Sequence, residues 1–173
     1  ENEEETVRVL RLFPECDTYA GVYRRYGLLG PRTLLAHGIH LFDAELDLLR
    51  ESGSRLVHCP SSNFFLKSGT IRLRAIEKQA IPLALGSDVG AGPSFSLFDV
   101  MKAMNYSQEY HLSPLTAYYC ATLGGAAALG LERVIGSLSP GKEADFIILD
   151  LYRLHPEFVI GSLEDLLAFL IYL

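Results

Sequence analysis

Three short apolar runs in this chain each lead to a side chain that binds metals or transfers protons. The runs cover residues 33–36, 55–57 and 81–85, and the polar residues that follow them are His37, His58 and Asp88. These polar residues lie 21 and 30 positions apart, so each gap has room for a loop, a helix and the next strand. Because the C-terminal ends of the strands in a β/α barrel meet at one face, the pattern predicts that the three side chains reach one pocket.

The segments around these strands carry the periodicity of helices. Val7, Leu10 and Phe13 recur at helical spacing, and Pro14 ends this first helix. A polar loop is expected from Cys59 to Gly69. Further helices are predicted over 17–26, 43–53, 71–79, 96–109 and 113–130, with Asp17, Asp43 and Ser113 as N-caps.

Alternating strands and helices predict an α/β fold with parallel strands and right-handed crossovers. The pattern changes after about residue 133, where 135–149 is typical of two strands around a Ser-Pro-Gly turn. Ser162 is expected to cap a short final helix. The sequence therefore predicts a division into 1–132, a small β subdomain over 133–151, and a C-terminal segment over 152–173.

The composition of this 173-residue chain argues against some classes of binding partner. A net charge of −6 and a pI near 5.3 argue against binding to nucleic acid, and no apolar run is long enough to span a membrane. Three cysteines without a C-x-x-C pair favour a reducing, cytoplasmic compartment. The acidic start has no initiator methionine, and a strand end is expected just before it. We therefore expect a fragment or a processed piece of a longer protein.

Each strand-end residue has a chemical and a structural interpretation. His37 precedes a glycine that allows close approach of a ligand, and its imidazole suits zinc or a proton relay, although a histidine considered alone is more often a structural residue. Asp88 can bind zinc and accept a proton, or cap its loop. His58 is expected in the pocket wall, with Cys59 on the opposite face as a small buried hydrophobe. The polar residues 61–63 are expected to hold their loop through side-chain hydrogen bonds.

Several other enzyme classes are excluded by their missing motifs. The chain has no G-x-S-x-G nucleophile elbow, no P-loop and no G-x-G-x-x-G. It also lacks the H-x-E and P-C-x-x-C pair of the cytidine-type zinc deaminases.

Five motifs together resemble the amidohydrolase superfamily. Within that superfamily the His-Cys-Pro and Asp-Val-Gly-Ala-Gly wording is most similar to the guanine deaminase branch. The motifs, in chain order, are Leu35-Ala-His-Gly38, His58-Cys-Pro-Ser-Ser-Asn63, Leu85-Gly-Ser-Asp-Val-Gly-Ala-Gly-Pro-Ser94, Ala121-Thr-Leu-Gly-Gly-Ala-Ala-Ala-Leu-Gly130 and Gly136-Ser-Leu-Ser-Pro-Gly-Lys-Glu-Ala-Asp145.

The resemblance implies the C-terminal half of a distorted (β/α)8 TIM-like barrel over 1–132, with part of a small β-sandwich over 133–151. It also implies one zinc ion per full-length subunit. Asp88 corresponds to the zinc-binding aspartate, which takes a proton from the zinc-bound water. His37 corresponds to the histidine that contacts this water and helps to polarise the ring, so both side chains touch metal and substrate. Glu1 corresponds to the catalytic glutamate that shuttles a proton to the substrate.

The implied reaction is hydrolysis of guanine to xanthine and ammonia by a cytoplasmic homodimer. The family's first-strand H-x-H pair, its fifth-strand histidine and its purine-binding arginine have no counterpart in this sequence. A catalytic zinc site has about three protein ligands, so we expect the isolated chain to bind zinc weakly and to be inactive. Two alternatives stay open. One is another deaminase or chlorohydrolase of the superfamily, with a pterin, triazine or adenosine-like substrate, and the other is a truncated, non-catalytic isoform.

Overall fold

A three-stranded parallel sheet lies at the centre of the structure. The computed structural model describes residues 2–157, 159 and 161–173, so the proposed proton shuttle Glu1 lies outside the described residues. The strands are β1 (Leu34–Ala36), β2 (Arg55–His58) and β3 (Leu83–Leu85), in the order β1-β2-β3. The predicted strands and their parallel arrangement are therefore confirmed.

The described part of the chain contains ten helices in addition to this sheet. Two precede β1, and the crossovers from β1 to β2 and from β2 to β3 contain one and two helices respectively. The bounds are α1 Glu3–Leu12, α2 Tyr19–Arg25, α3 Asp43–Ser52, α4 Pro60–Phe65, α5 Leu73–Lys78, α6 Leu97–Tyr106, α7 Pro114–Ala121, α8 Leu123–Leu129, α9 Leu151–Leu154 and α10 Leu163–Tyr172.

One face of the sheet contributes to the hydrophobic core. Leu35, Leu56 and Leu83 are partners in the strand register and therefore share a face. Leu46 and Leu49 of α3 belong to the same buried cluster, as their spacing on one helix face predicts. Further members of the cluster come from α5, α6, α7 and α10, and include Ile76, Met101, Met104, Ala117 and Ile171. The crossover helices thus hold the strand ends in fixed positions.

Two predicted N-caps are wrong by one residue. Helix α2 is capped by Thr18 instead of Asp17, because the Thr18 hydroxyl accepts a hydrogen bond from the Gly21 N–H at 3.0 Å. In α3 the N-cap position is Phe42, and Asp43 is already helical. The side chain of Glu45 accepts the Phe42 N–H at 2.9 Å, so this helix begins with the carboxylate half of a capping box.

The expected loop from Cys59 to Gly69 contains helix α4. Pro60 occupies its first turn, where the missing N–H costs nothing. The helix ends in a Schellman motif in which the Ser68 N–H binds the Asn63 carbonyl at 2.9 Å and the Lys67 N–H binds the Phe64 carbonyl at 3.2 Å. Lys67 has the left-handed conformation that this motif requires, with φ 54°. The polar residues after Pro60 therefore stand on a rigid element.

The helix predicted over 113–130 is broken into α7 and α8 at Thr122. This residue has φ −123° and ψ −100°, and its hydroxyl donates to the Tyr118 carbonyl at 2.8 Å. A β-carbon at Gly124 would lie 2.9 Å from the Tyr119 carbonyl oxygen, so the chain can turn this tightly only with glycine there. The Ser113 N-cap is confirmed by its bond to the Leu115 N–H.

The two strands predicted over 135–149 do not form in the described structure. Three consecutive apolar side chains, Phe146, Ile147 and Ile148, are exposed, the last by 86%. Strand formation requires a partner ladder, and this segment pairs with none of the described residues as a strand. By contrast, Ser162 caps α10 as predicted. None of the helices in the described ranges is both long and apolar enough to cross a bilayer.

Candidate functional site

His37 lies directly after β1, at a point where the chain leaves the sheet abruptly. Its N–H donates to the Val57 carbonyl at 2.9 Å, so the ladder continues up to this residue. The backbone then turns left-handed, with φ 68° at His37 and 64° at Gly38. A non-glycine residue in this conformation carries about 1–2 kcal/mol of strain, which persists only where the surroundings enforce it.

Asn63 fixes the ring of His37. The Nδ1–H of His37 donates to the Asn63 Oδ1 at 2.8 Å, since the amide oxygen can only accept. In the neutral ring this hydrogen bond leaves the lone pair on Nε2, which lies 3.9 Å from Asp88 Oδ2. A neutral imidazole with one nitrogen held in this way is the form that ligates metals or accepts a proton.

Asp88 reaches the same place from the end of β3. Its carboxylate Oδ2 accepts a hydrogen bond of 2.6 Å from the Ser62 hydroxyl, and its side chain is 36% exposed, within reach of a ligand. Asp88 also has a left-handed backbone, with φ 47°. Its carbonyl accepts the N–H of Gly92, where a β-carbon would lie only 1.9 Å from the Ser87 carbonyl oxygen. Glycine at 92 is therefore required for the turn that presents Asp88.

Helix α4 supports both side chains. Ser62 holds Asp88 and Asn63 holds His37, and both α4 residues are buried. The sequence predicted that these polar residues hold their own loop, but it did not predict that they hold the two site residues. The signal was the polar Ser-Ser-Asn run directly after a proline that can start a helix.

His58 does not belong to this site, which corrects its predicted place in the pocket wall. It is only 1% exposed, and neither ring nitrogen has a hydrogen-bond partner among the described residues. Strand alternation places it on the same face as the core residue Leu56. Burial is the main reason why the pKa of His58 is lowered to about 3, and the nearby His37 adds to this effect when it is protonated; the His58 ring is therefore neutral at physiological pH. Cys59 is buried, as predicted for a small hydrophobe.

A cavity of about 430 Å³ opens beside His37, between β1 and helices α1 and α2. Its polar wall includes Glu5 and Tyr19, and the Tyr19 hydroxyl donates to Glu5 Oε1 at 3.0 Å. Burial is the main reason why the pKa of Tyr19 is raised, followed by hydrogen bonding to Tyr23 and Glu5. The cavity has the size of many small-molecule sites, with His37 at its edge.

The donor types of His37 and Asp88 suit zinc, which binds imidazole nitrogen and carboxylate oxygen. Both groups are oriented by hydrogen bonds from α4, as metal ligands usually are by their neighbours. No cluster of three His, Cys, Asp or Glu side chains converges within the described ranges. The two donors thus fit zinc by chemistry and geometry, and a catalytic zinc site uses about three protein ligands.

Relatives of known activity match most of the chain. Guanine deaminase from Escherichia coli (strain K12) is 40% identical over 153 residues, which is 87% of this chain and 35% of the relative. Guanine deaminase from Homo sapiens is 35% identical over 159 residues, with the same coverage of both chains. The chain therefore spans 35% of the length of these curated relatives.

Solved structures agree along the whole chain. The E. coli guanine deaminase superposes with a TM-score of 0.93 at 38% identity, covering 100% of this chain and 42% of that one. A guanine deaminase from C. acetobutylicum with guanine in its active site gives 0.89 at 33% identity, with coverage of 100% and 43%. An adenosine deaminase from Xanthomonas campestris with bound zinc gives 0.86 at 30% identity, with coverage of 99% and 39%.

The sequence motifs, the superposition and the family models therefore agree. The model of the amidohydrolase family matches residues 1–168, which is nearly the whole chain. The paired strand ends that carry His37 and Asp88 lie within that match. The chain belongs to the amidohydrolase family.

Proposed function

We propose that the protein containing this chain is a zinc-dependent guanine deaminase that hydrolyses guanine to xanthine and ammonia. The observation that carries the proposal is the convergence of His37 and Asp88, 3.9 Å apart at the ends of β1 and β3, each held by a buried residue of α4. The relatives that match 87% of this chain are named guanine deaminases, and one solved neighbour holds guanine in its active site.

The proposed reaction assigns a separate task to each side chain. A bound zinc ion supplies Lewis acidity and makes hydroxide available at neutral pH. Asp88, exposed and oriented by Ser62, accepts the proton of the attacking water, whose oxygen bonds to C2 of guanine. His37, whose Nε2 lone pair faces Asp88, accepts a hydrogen bond from the attacking water and orients it towards the ring. Glu1, which lies outside the described residues, protonates the ring nitrogen and takes back the proton of the new C2 hydroxyl as the C2 carbonyl forms. The proton held by Asp88 passes to the amino group, which leaves as ammonia.

The ligand count leads to a proposal about the 173 residues alone. Because His37 and Asp88 are the two donors that the described residues bring together and a catalytic zinc site uses about three, we propose that further ligands lie outside the described residues. We expect the isolated chain to bind zinc weakly and to release no ammonia from guanine. Turnover by the isolated chain at an ordinary enzymatic rate would show that this assignment of ligands is wrong.

The test of the function is ammonia release by the full-length, zinc-loaded protein on a panel of guanine, adenosine, a pterin and a triazine. We expect guanine to exceed the other substrates in kcat/KM by about 100-fold or more, because a site built for polar ring edges rejects rings that lack them. Asp88→Asn should lower kcat on guanine by about 1,000-fold, and the exposed control Asp17→Asn should keep it. No release of ammonia from guanine by the intact protein would overturn the proposal.

A second candidate substrate is an adenosine-like purine. The zinc-bound neighbour from Xanthomonas campestris is named an adenosine deaminase and superposes at a TM-score of 0.86. Its identity of 30% is lower than the 38% of the E. coli guanine deaminase, which is why guanine is the first choice. Faster ammonia release from adenosine than from guanine in the same panel would favour this alternative.

The remaining proposals concern the arrangement of the whole protein. We propose that 1–132 forms later units of a β/α barrel and that 133–151 joins a small β-sandwich, with 152–173 as a C-terminal segment. The exposed apolar run Phe146–Ile148 supports the second point, because it needs a strand partner. A cytoplasmic location fits the three cysteines, none of which forms a disulfide within the described residues. We also propose that the full-length protein is a homodimer. Size-exclusion chromatography with light scattering tests the dimer, and a monodisperse monomer of the isolated chain would favour the non-catalytic alternative.

A further inference from the structure

We propose that His40 is a positioning residue that holds His37 as the Nδ1–H tautomer, acting through Ser68 and Asn63. The inference rests on the proposed function in one respect, because it assumes that Nε2 of His37 faces the reacting groups. His40 itself contacts neither Asp88 nor the carboxylate's partner Ser62 by any of the hydrogen bonds described above. Its effect on the reaction would therefore act through Ser68 and Asn63 on the ring of His37.

The first link joins two loops that follow different elements. The Nε2 of His40 lies 3.0 Å from the Ser68 carbonyl oxygen. A carbonyl only accepts, so this nitrogen bears the hydrogen and His40 is the Nε2–H tautomer. The loops also touch directly, because a β-carbon on Gly69 would lie 3.0 Å from Ile39 Cγ2 and 3.6 Å from His40 Cε1. A side chain at position 69 would push against Ile39, and its φ of 121° also favours glycine.

The second link is the end of helix α4. The N–H of Ser68 binds the Asn63 carbonyl at 2.9 Å in the Schellman motif, with Lys67 in the left-handed conformation. Ser68 and Asn63 are both buried. Because His40 binds the carbonyl of Ser68, it also helps to fix the backbone of Asn63, from which the side chain extends to His37.

The third link returns to the site. The Asn63 Oδ1 accepts the Nδ1–H of His37 at 2.8 Å. His40 lies three residues after His37 in the sequence, so the backbone from 37 to 40 completes the connection. The contacts thus form a closed ring from His37 through His40, Ser68 and Asn63 back to His37. His37, whose left-handed φ of 68° is strained, is itself a member of this closed set of contacts. Removing the His40 donor opens the ring between the two loops.

The inference predicts a defined change in the His37 ring. The Asn63 Nδ2 is buried without a hydrogen-bond partner among the described residues, so the amide orientation depends on the Oδ1 contact alone. If the two loops separate, the amide can rotate and offer a donor in place of an acceptor to His37 Nδ1. The ring would then populate the Nε2–H tautomer, which has no lone pair to offer at Nε2.

Nuclear magnetic resonance of ¹⁵N-histidine-labelled protein tests the inference directly, in the full-length protein. In the wild type we expect His37 as Nδ1–H and His40 as Nε2–H. His40→Phe keeps a ring but removes the donor, and should give mixed tautomers at His37. His40→Gln offers an amide donor and should restore the wild-type pattern. His111→Phe is the matched control at an exposed histidine and should change nothing at His37.

Kinetics provides the second measurement. In the zinc-loaded protein we expect His40→Phe to lower kcat on guanine by about 10-fold, in the range known for groups behind metal ligands, with KM changed by less than about twofold. His40→Gln should recover most of kcat. A normal His37 tautomer and normal kcat in His40→Phe would overturn the inference, as would an Nδ1–H tautomer of His40 in the wild type. The wild-type measurement decides even if His40→Phe does not fold.

The two proposals fail in different ways. A tautomer change in His40→Phe together with no guanine turnover by the wild type would refute the proposed function and keep the positioning role. Turnover of guanine by the wild type, with no tautomer change at His37 in His40→Phe, would keep the proposed function and refute the positioning role.

Discussion

The ends of β1 and β2 each present a histidine at the same level of the sheet, yet only one belongs to the candidate site. Ala36 is the register partner of Val57, so His37 and His58 follow on adjacent parallel strands. His58 keeps the strand conformation and is buried on the core face, whereas the backbone at His37 turns left-handed and its ring meets Asn63 and Asp88. A strand end alone does not define a functional residue, because the first residue of the loop decides where the side chain goes.

The two histidines also differ in electrostatics. His37 shares its surroundings with polar partners from α4, and His58 lies in the core with both nitrogens unpartnered among the described residues. A buried polar ring without hydrogen bonds destabilises the fold, so His58 should affect stability and His37 should affect catalysis.

The largest effect is expected at Asp88, which shares the site with His37. Asp88→Asn keeps the shape of the side chain but removes its charge and basicity. In the zinc-loaded full-length protein, kcat on guanine should fall by about 1,000-fold, as expected when a general base is lost. Thermal unfolding should be nearly unchanged, because the side chain is 36% exposed. A loss of less than about tenfold would remove Asp88 from its proposed role.

The pH dependence of stability should reveal His58. Its folded-state pKa of about 3 is below the ordinary value of 6.5, so between these values the unfolded chain binds a proton that the folded chain does not. The free energy of unfolding is therefore highest above pH 6.5 and decreases as the pH falls towards 3, by up to ~1.4 kcal/mol per pH unit. Urea unfolding from pH 7 to pH 4 measures the slope. An unchanged slope in His58→Leu would contradict the assignment.

At neutral pH the same substitution should stabilise the protein. His58→Leu replaces a buried, unpaired polar ring by an apolar side chain of similar volume, and we expect a gain of about 1 kcal/mol in the free energy of unfolding. His111→Leu, at an exposed position, is the matched control and should change it by less than about 0.5 kcal/mol. Destabilisation of the His58 variant by more than about 1 kcal/mol would show that the ring makes hydrogen bonds in the folded protein.

The smallest effect is expected at the end of α4. This helix supports His37 through Asn63, whereas neither ring nitrogen of His58 has a hydrogen-bond partner among the described residues. Lys67 has a left-handed φ of 54°, which glycine adopts without strain. Lys67→Gly should stabilise the fold by about 0.5 kcal/mol and leave guanine turnover intact. Lys78→Gly, at a right-handed helical position, should instead cost about 1 kcal/mol. Equal effects of the two changes in thermal unfolding would rule out strain at Lys67.

The sequence was sufficient for the frame of the fold. Short apolar runs bounded by helical periodicity predicted β1, β2 and β3 and their parallel arrangement, because burial on parallel strands leaves a strong local pattern. It also predicted that His37 and Asp88 come together. The two strands over 135–149 were wrong, since strand formation depends on a partner that no local pattern specifies.

The finer geometry of the site depended on tertiary contacts that leave little trace in the sequence. Left-handed conformations at His37 and Asp88 are uncommon for non-glycine residues, so no propensity rule predicts them. The support from Ser62 and Asn63 required a helix in a segment whose polar composition favoured a loop. The burial of His58 followed from the face of β2 that meets the core, which the alternation of a four-residue strand does not fix on its own.

The most direct test of the division between the two strand ends is one substitution made at both. His37→Leu and His58→Leu are compared in the full-length, zinc-loaded protein by the rate of ammonia release from guanine. We expect a fall in kcat of about 100-fold or more for His37→Leu and of less than about threefold for His58→Leu. Equal losses in the two variants, or a larger loss for His58→Leu, would contradict it.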